Sequence, residues 1–136
     1  MGRILAIDYG AVRTGMARTD VLQISINPLP TIPTTIIKEE LEKFLMEGEV
    51  SDVVFGYPTH KDGTPTNVAK DIDLLIDKSS LKFPNIQFHR IDESFTSVKA
   101  REMMLFLGTR KKKRREKGTV DKVSAVLILK DFLDKR

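Results

Sequence analysis

The order of the hydrophobic patterns is the feature that most constrains the fold of this chain. Three strand patterns come first, at residues 3–8, 14–19 and 28–33, and strand patterns then alternate with helical ones. Strands in direct succession favour antiparallel pairing, whereas strands separated by helices favour parallel neighbours joined by helical crossovers. The sequence therefore predicts an α/β sandwich with a mixed sheet of five strands.

The later elements follow from apolar spacing and from turn residues. A helix is predicted over 35–47, and a second one begins after Thr66, whose side chain we expect to cap it. Between them lie a short apolar strand at 52–56 and a loop at 57–65, where proline and Asp-Gly exclude regular structure. The remaining predicted elements are a strand at 86–91 and helices at 97–107 and 119–134.

Length and composition limit the kind of protein this is. The 136 residues suit one domain spanning 1–136, and no apolar stretch approaches the length needed to cross a bilayer. The chain has no cysteine, which excludes a disulfide framework, a thiolate zinc site and a cysteine nucleophile. We therefore expect a soluble cytoplasmic protein with no membrane partner.

The net positive charge of the chain comes from one short run. Residues 110–117 hold seven Lys and Arg and one Glu. The whole chain has a net charge of +4, but without this run 16 basic and 18 acidic residues remain, a net charge of −2. A concentrated basic patch is typical of a protein that binds a polyanion, although the run alone fits a solvated surface segment equally well.

Asp8 ends the first predicted strand. Its side chain shares a strand face with Ile4 and Ala6, so the carboxylate continues an apolar row. A carboxylate in that position needs a compensating charge, which a divalent metal ion would supply. The structural alternative is that Asp8 accepts hydrogen bonds from turn amides near Gly10.

A second acid follows the fifth predicted strand, where Asp92 and Glu93 are adjacent. Neighbouring strand residues point in opposite directions, so only one of the two is expected to reach a shared site. Alternation alone does not choose between them, and Asp92 could instead cap the next helix.

The third acid, Asp121, lies near the start of the last predicted helix. At helical spacing it shares a stripe with Ala125, Ile128 and Phe132. The helix dipole also favours an acid in the first turn. This preference accounts for the position of Asp121 along the helix, but not for the face of the helix to which it belongs. Neither His60 nor His89 is assigned a role in catalysis.

Carboxylates from separate elements, close to a basic run, are typical of a metal-dependent nuclease. Hard cations such as Mg²⁺ prefer oxygen ligands and keep water molecules for a substrate phosphate. In this hypothesis Arg13 contacts the substrate near the metal, although an ordinary surface arginine fits the sequence equally well. The basic run binds backbone phosphates without reading sequence. The basic residues assigned to nucleic-acid binding in that run are Arg110, Lys111, Lys112, Lys113, Arg114, Arg115 and Lys117.

Four blocks of residues span nearly the whole chain. They are Ile7-Asp8-Tyr9-Gly10 with Arg13 and Gly15, Val54-Phe55-Gly56-Tyr57-Pro58 with Asp62-Gly63, Asp92-Glu93-Ser94-Phe95-Thr96, and Val120-Asp121 followed by Ala125 and Ile128-Leu129. Together these blocks resemble the YqgF family of ribonuclease-H-fold proteins, which are named as pre-16S ribosomal RNA nucleases and as Holliday-junction-resolvase-like proteins. The chain departs from the family pattern at Ala11-Val12, Ser94-Phe95 and Lys122, while the acids keep their places.

The resemblance implies a ribonuclease-H-like three-layer sandwich, with a mixed five-stranded sheet flanked by helices. It implies an endonuclease that uses Mg²⁺ or Mn²⁺ and acts on the 5′ end of precursor 16S rRNA. It assigns catalysis and metal binding to Asp8, Glu93 and Asp121. The expected partners are precursor 16S rRNA or the assembling ribosome, and the protein is expected to be a monomer or a weak homodimer.

Three other functions fit parts of the sequence. The first is a Holliday junction resolvase that cuts branched DNA with the same chemistry. The second is a non-catalytic RNA-binding module of ribosome assembly, in which the acids are structural. The third is an ATPase, because the opening strand-Asp-x-Gly also resembles the phosphate-binding hairpin of actin and sugar-kinase folds, but that function requires a dimer to form the nucleotide cleft.

Overall fold

A five-stranded sheet forms the middle layer of the fold. A computed structural model describes residues 2–58, 66–92 and 117–136, with the backbone alone for 117–122. In chain order the strands are β1 (Arg3–Asp8), β2 (Arg13–Thr19), β3 (Ile26–Pro33), β4 (Val50–Tyr57) and β5 (Gln87–Asp92). In space they follow the order β3-β2-β1-β4-β5, so β1 is central.

The sheet is mixed, as predicted. β1 and β2 pair antiparallel, as do β2 and β3, whereas β4 runs parallel to both β1 and β5. Because β1, β4 and β5 run in one direction, their last residues Asp8, Tyr57 and Asp92 lie at the same edge of the sheet. We call this the carboxyl edge, and β2 begins there with Arg13.

The strands extend slightly beyond the apolar patterns that predict them. β4 begins at Val50 and ends at Tyr57, instead of 52 and 56, because Val50 pairs with Arg3 and Tyr57 pairs with Asp92. β3 starts at Ile26, opposite Thr19. Backbone pairing continues past the unbroken apolar run, whereas the apolar run marks only the middle of the strand.

Three α-helices are described. They are α1 (Ile37–Met46), which follows a 3₁₀ turn at Thr34–Ile36, α2 (Asn67–Lys82) and α3 (Lys117–Lys135). The predicted cap of α2 is confirmed, since the Thr66 hydroxyl accepts a hydrogen bond from the Ala69 amide at 3.1 Å. The predicted helix at 97–107 lies outside the described residues. Within the described ranges, no helix is long and apolar enough to span a membrane.

The helices cover both faces of the sheet and make three layers. On one face, Leu5 and Ile7 of β1 pack in a core shared with buried residues of α1 and α2. On the other face, Ile4 and Ala6 of β1 pack against α3. The α3 residues buried there are Ala125, Ile128 and Leu129. The predicted α/β sandwich of ribonuclease-H-like type is confirmed, and α3 lies over the face to which the even-numbered residues of β1 belong.

Candidate functional site

Asp8 ends the central strand at the carboxyl edge. It is half-buried and belongs to the same face as Ile4 and Ala6, as alternation predicts. Its partner on β2 is Gly15, which has no side chain to place beside the carboxylate. On its other side β1 pairs with β4, and Ile7 lies opposite Phe55. The next residue of β4, Gly56, therefore lies beside Asp8.

The turn between β1 and β2 is tight. A Cβ on Gly10 would lie 2.2 Å from the carbonyl oxygen of Arg13, so no other residue fits this backbone. Arg13 is half-buried at the start of β2. It lies two residues before Gly15, and alternation therefore gives it the same sheet face as Asp8. The short turn thus brings a carboxylate and a guanidinium to one face of the carboxyl edge.

The last residue of β5, Asp92, belongs to the opposite face of the sheet. Asp92 pairs with Tyr57, and Tyr57 packs against the core that α1 and α2 share. Paired residues of neighbouring strands point to the same face, so Asp92 and Asp8 belong to opposite faces. Glu93 follows directly and lies outside the described residues.

Asp121 lies in the second turn of α3, where the backbone alone is described. Of the residues predicted to share its stripe, Ala125 and Ile128 are fully buried against the sheet, and Phe132 packs beside them. These described residues of the stripe therefore face the layer that carries Asp8.

The described residues contain no group of three His, Asp or Glu side chains close enough to hold a metal ion. Of the three acids assigned to metal binding, Asp8 alone has a described side chain. The basic residues from Arg110 to Arg115 lie outside the described ranges, and Lys117 is described by its backbone only. That the three acids and the basic run form one site therefore remains a prediction.

A polar network near the carboxyl edge was not predicted from the sequence. The Tyr57 hydroxyl donates to Asp73 Oδ2 at 2.9 Å, and Arg90 Nη2 lies 2.9 Å from Asp73 Oδ1. The Arg90 guanidinium carbon also lies 5.7 Å from the centre of the Tyr57 ring, within cation–π range. The hydrogen bond to Asp73 is the main reason that the pKa of Tyr57 is raised, followed by burial. The network joins the ends of β4 and β5 to α2.

His89 and Tyr9 also have described neighbours near the sheet. His89 Nε2 lies 2.8 Å from Asp52 Oδ2, and its ring centre lies 4.7 Å from that of Phe132 on α3. This contact agrees with a structural role for His89.

Next to Asp8, burial raises the pKa of Tyr9, and the negative charge of Asp71 on α2 adds to the effect.

Comparison with known families gives a match over the whole length. The model of the family described as RuvX, Holliday junction resolvase, matches residues 2–135. A protein of Flavobacterium johnsoniae named "Putative pre-16S rRNA nuclease" is 40% identical over 136 residues, covering 100% of this chain and 99% of that one. A protein of Phocaeicola vulgatus with the same name is 39% identical, covering 100% and 98%.

Solved structures support the fold independently of sequence identity. The fowlpox virus Holliday junction resolvase aligns with a TM-score of 0.59 at 9% identity, covering 98% of this chain and 99% of that one. The Thermus thermophilus RuvC in complex with a Holliday junction substrate aligns with a TM-score of 0.57 at 12% identity, covering 99% and 96%. At such identities the alignments establish a shared fold and nothing more.

Proposed function

The chain belongs to the RuvX family of Holliday junction resolvases and is a nuclease, and from that premise we propose that it is a metal-dependent endonuclease that processes the 5′ end of precursor 16S rRNA. One observation carries the proposal: Asp8 ends the central strand on the face that α3 covers. A catalytic carboxylate at the end of β1 and an acid near the start of α3 can then approach one phosphodiester bond.

Asp8, Glu93 and Asp121 are the proposed metal ligands, and their donor type fits Mg²⁺ or Mn²⁺. Carboxylate oxygens are hard ligands, and the half-buried Asp8 carboxylate keeps part of its surface accessible. Asp92 belongs to the opposite face from Asp8, which favours Glu93 as the ligand that follows β5. When bound, such an ion lowers the pKa of an attacking water and stabilises the leaving oxygen.

The protein's own cations would hold the substrate. Arg13 shares the sheet face of Asp8, so its guanidinium is suited to a phosphate oxygen next to the scissile bond. The run from Arg110 to Arg115, together with Lys117, would bind phosphates further along the strand. Contacts of this kind give affinity and orientation without sequence preference, so the shape of the RNA would determine where cleavage occurs.

The relatives' name supports precursor 16S rRNA as the substrate. Such a substrate implies a cytoplasmic protein that meets the assembling ribosome, and we propose a monomer or a weak homodimer of this single domain. Branched DNA is the second candidate, because the description of the matching family names a Holliday junction resolvase. A non-catalytic RNA-binding role would leave metal-dependent cleavage undetectable.

The decisive experiment compares Asp8→Asn and Glu93→Gln with Asp92→Asn as the matched control. The substrates are a precursor 16S rRNA 5′ fragment, a single-stranded DNA and a four-way DNA junction, each with Mg²⁺ or Mn²⁺. We expect the first two variants to bind RNA normally but to lose cleavage, while Asp92→Asn keeps it. Full activity in Asp8→Asn would refute the assignment, and preference for the junction would establish the DNA substrate instead.

A further inference from the structure

Thr34 makes three hydrogen bonds to the hairpin that carries Asp8. It is the first residue of the 3₁₀ turn before α1, and its backbone amide donates to the Val12 carbonyl at 2.9 Å. Its hydroxyl donates to the Gly10 carbonyl at 2.7 Å. The same hydroxyl lies 2.8 Å from the hydroxyl of Thr14, which is fully buried. A threonine hydroxyl has one proton, so Thr14 is the donor in this last contact.

These hydrogen bonds attach the turn between β1 and β2 to the 3₁₀ turn that precedes α1. Gly10 and Val12 belong to the turn itself, and Thr14 is the second residue of β2. Tyr9 packs against the core on the side of α1 and α2, but Ala11 and Val12 at the tip are exposed, and Val12 is 74% exposed. Besides the pairing of β2 with β1 and β3, these hydrogen bonds from a residue more than 20 positions later in the chain set the position of the tip.

We propose that Thr34 is a positioning residue for the nuclease reaction. By holding residues 9–12, it keeps Asp8 at the end of β1 and Arg13 at the start of β2 in a constant relative position. The inference rests on the proposed function, in which these two residues act on the same phosphate. The hydroxyl is needed because it both donates to a carbonyl and accepts from Thr14, which valine of the same shape cannot do.

Thr34→Val tests the proposal, with Thr34→Ser as the rescue variant and Thr35→Val as the neighbouring control. Thr35 is exposed and lies in the same 3₁₀ turn. Misplacement of catalytic groups by about 1 Å costs on the order of 10²-fold in rate, so we expect kcat of Thr34→Val to fall roughly 10-fold to 100-fold. The KM for RNA should stay within about twofold, since the basic run that dominates binding is unaltered. Thr34→Ser and Thr35→Val should both retain the wild-type kcat.

Val50→Ala distinguishes a positioning role of Thr34 from a general loss of stability. Val50 is buried and begins β4, at the opposite edge of the sheet from Asp8. We expect Val50→Ala to lower Tm at least as much as Thr34→Val does and yet to leave kcat unchanged below the unfolding transition. Equal kcat losses in the two variants, or no loss in Thr34→Val, would overturn the proposal.

Amide hydrogen exchange separates this inference from the proposed function. Exchange at residues 9–13 should become at least about 10-fold faster in Thr34→Val and stay unchanged in Thr35→Val, whether or not the wild type cleaves RNA. If the wild type does not cleave RNA, the proposed function is refuted. The positioning role is then refuted as well, even if faster exchange in Thr34→Val shows that Thr34 holds the turn. If the wild type cleaves and exchange does not change, the positioning role alone is refuted.

Discussion

Asp8 on β1 lies directly opposite Gly15 on β2, on the sheet face that α3 covers. Directly opposed strand residues have Cβ positions only about 4.5–5.5 Å apart, so any side chain at position 15 would lie beside the Asp8 carboxylate. Gly15 itself places no side-chain atom there.

Gly15→Val should therefore lower cleavage strongly while the protein still folds. Valine is favoured in strands, and its branched side chain would occupy the space next to Asp8. We expect kcat to fall by about 10-fold or more, measured beside far-ultraviolet circular dichroism to show retained secondary structure. Ala11→Val, in the exposed part of the turn, is the control that should retain activity. Wild-type kcat in a folded Gly15→Val protein would contradict the role of this space.

Neutralising Lys111, Lys112 and Lys113 to Gln should weaken RNA binding and its dependence on salt. Each lost phosphate contact lowers the slope of log K against log salt by about 0.7 for a single strand and about 0.9 for a duplex. Fluorescence anisotropy at several salt concentrations measures the slope. The control replaces Lys78, Lys130 and Lys135, which are exposed on α2 and α3. Equal slopes in both triple variants would show that the run does not contact the RNA backbone.

Asp73→Ala should lower the pKa of Tyr57. The phenol donates to Asp73, and that hydrogen bond is the main cause of its raised pKa. Titration of the tyrosinate absorbance in a Tyr9→Phe background reports Tyr57 alone, since the chain has two tyrosines. Asp77→Ala, one turn further along α2 and exposed, should leave the titration unchanged.

The same hydrogen bond links stability to alkaline pH. The folded pKa of Tyr57 is raised above the unfolded value of about 10, so its contribution is fully present below that pH and is lost as the pH rises through the folded pKa. In Asp73→Ala, the free energy of unfolding should therefore fall less as the pH rises through this range. Denaturant unfolding across the alkaline range measures it, and an unchanged pH dependence would show that the bond does not persist in solution.

Leu129→Ala should destabilise the protein by about 2–5 kcal/mol. Leu129 is fully buried on α3 among Ile4 and Ala6, so truncation leaves a cavity between the helix and the sheet. Leu81→Ala is the matched control, since Leu81 is 85% exposed, and it should change stability by no more than about 0.5 kcal/mol. Urea denaturation measures both, and equal effects would mean that α3 does not pack on this face.

Much of the fold could be predicted because it depends on local periodicity. Alternation assigned Asp8 to the face of Ile4 and Ala6, and helical spacing assigned Ala125 and Ile128 to a core-facing stripe. The cap at Thr66 also follows from residues within one helical turn. The strand boundaries were less accurate, because pairing with neighbours extends β4 beyond its unbroken apolar run.

The candidate site was predicted only in part. Motifs identified Asp8 as the end of a strand, but the sequence did not choose between Asp92 and Glu93. The register of β4 and β5 adds an observation that the sequence lacks, because it pairs Asp92 with Tyr57 on the face opposite Asp8. Asp73 carries no motif, and it acquires its role from Tyr57 and Arg90, which lie 16 and 17 residues away.

The sequence by itself determined the kinds of elements, their order and the buried face of each, since these depend on backbone geometry within a few residues. Tertiary structure decided which elements became neighbours: Asp8 beside Gly15, Thr34 against the turn after β1, and Asp73 between two strand ends. Those contacts join residues distant in the chain. Packing and pairing of whole layers select them, and no local pattern encodes that choice.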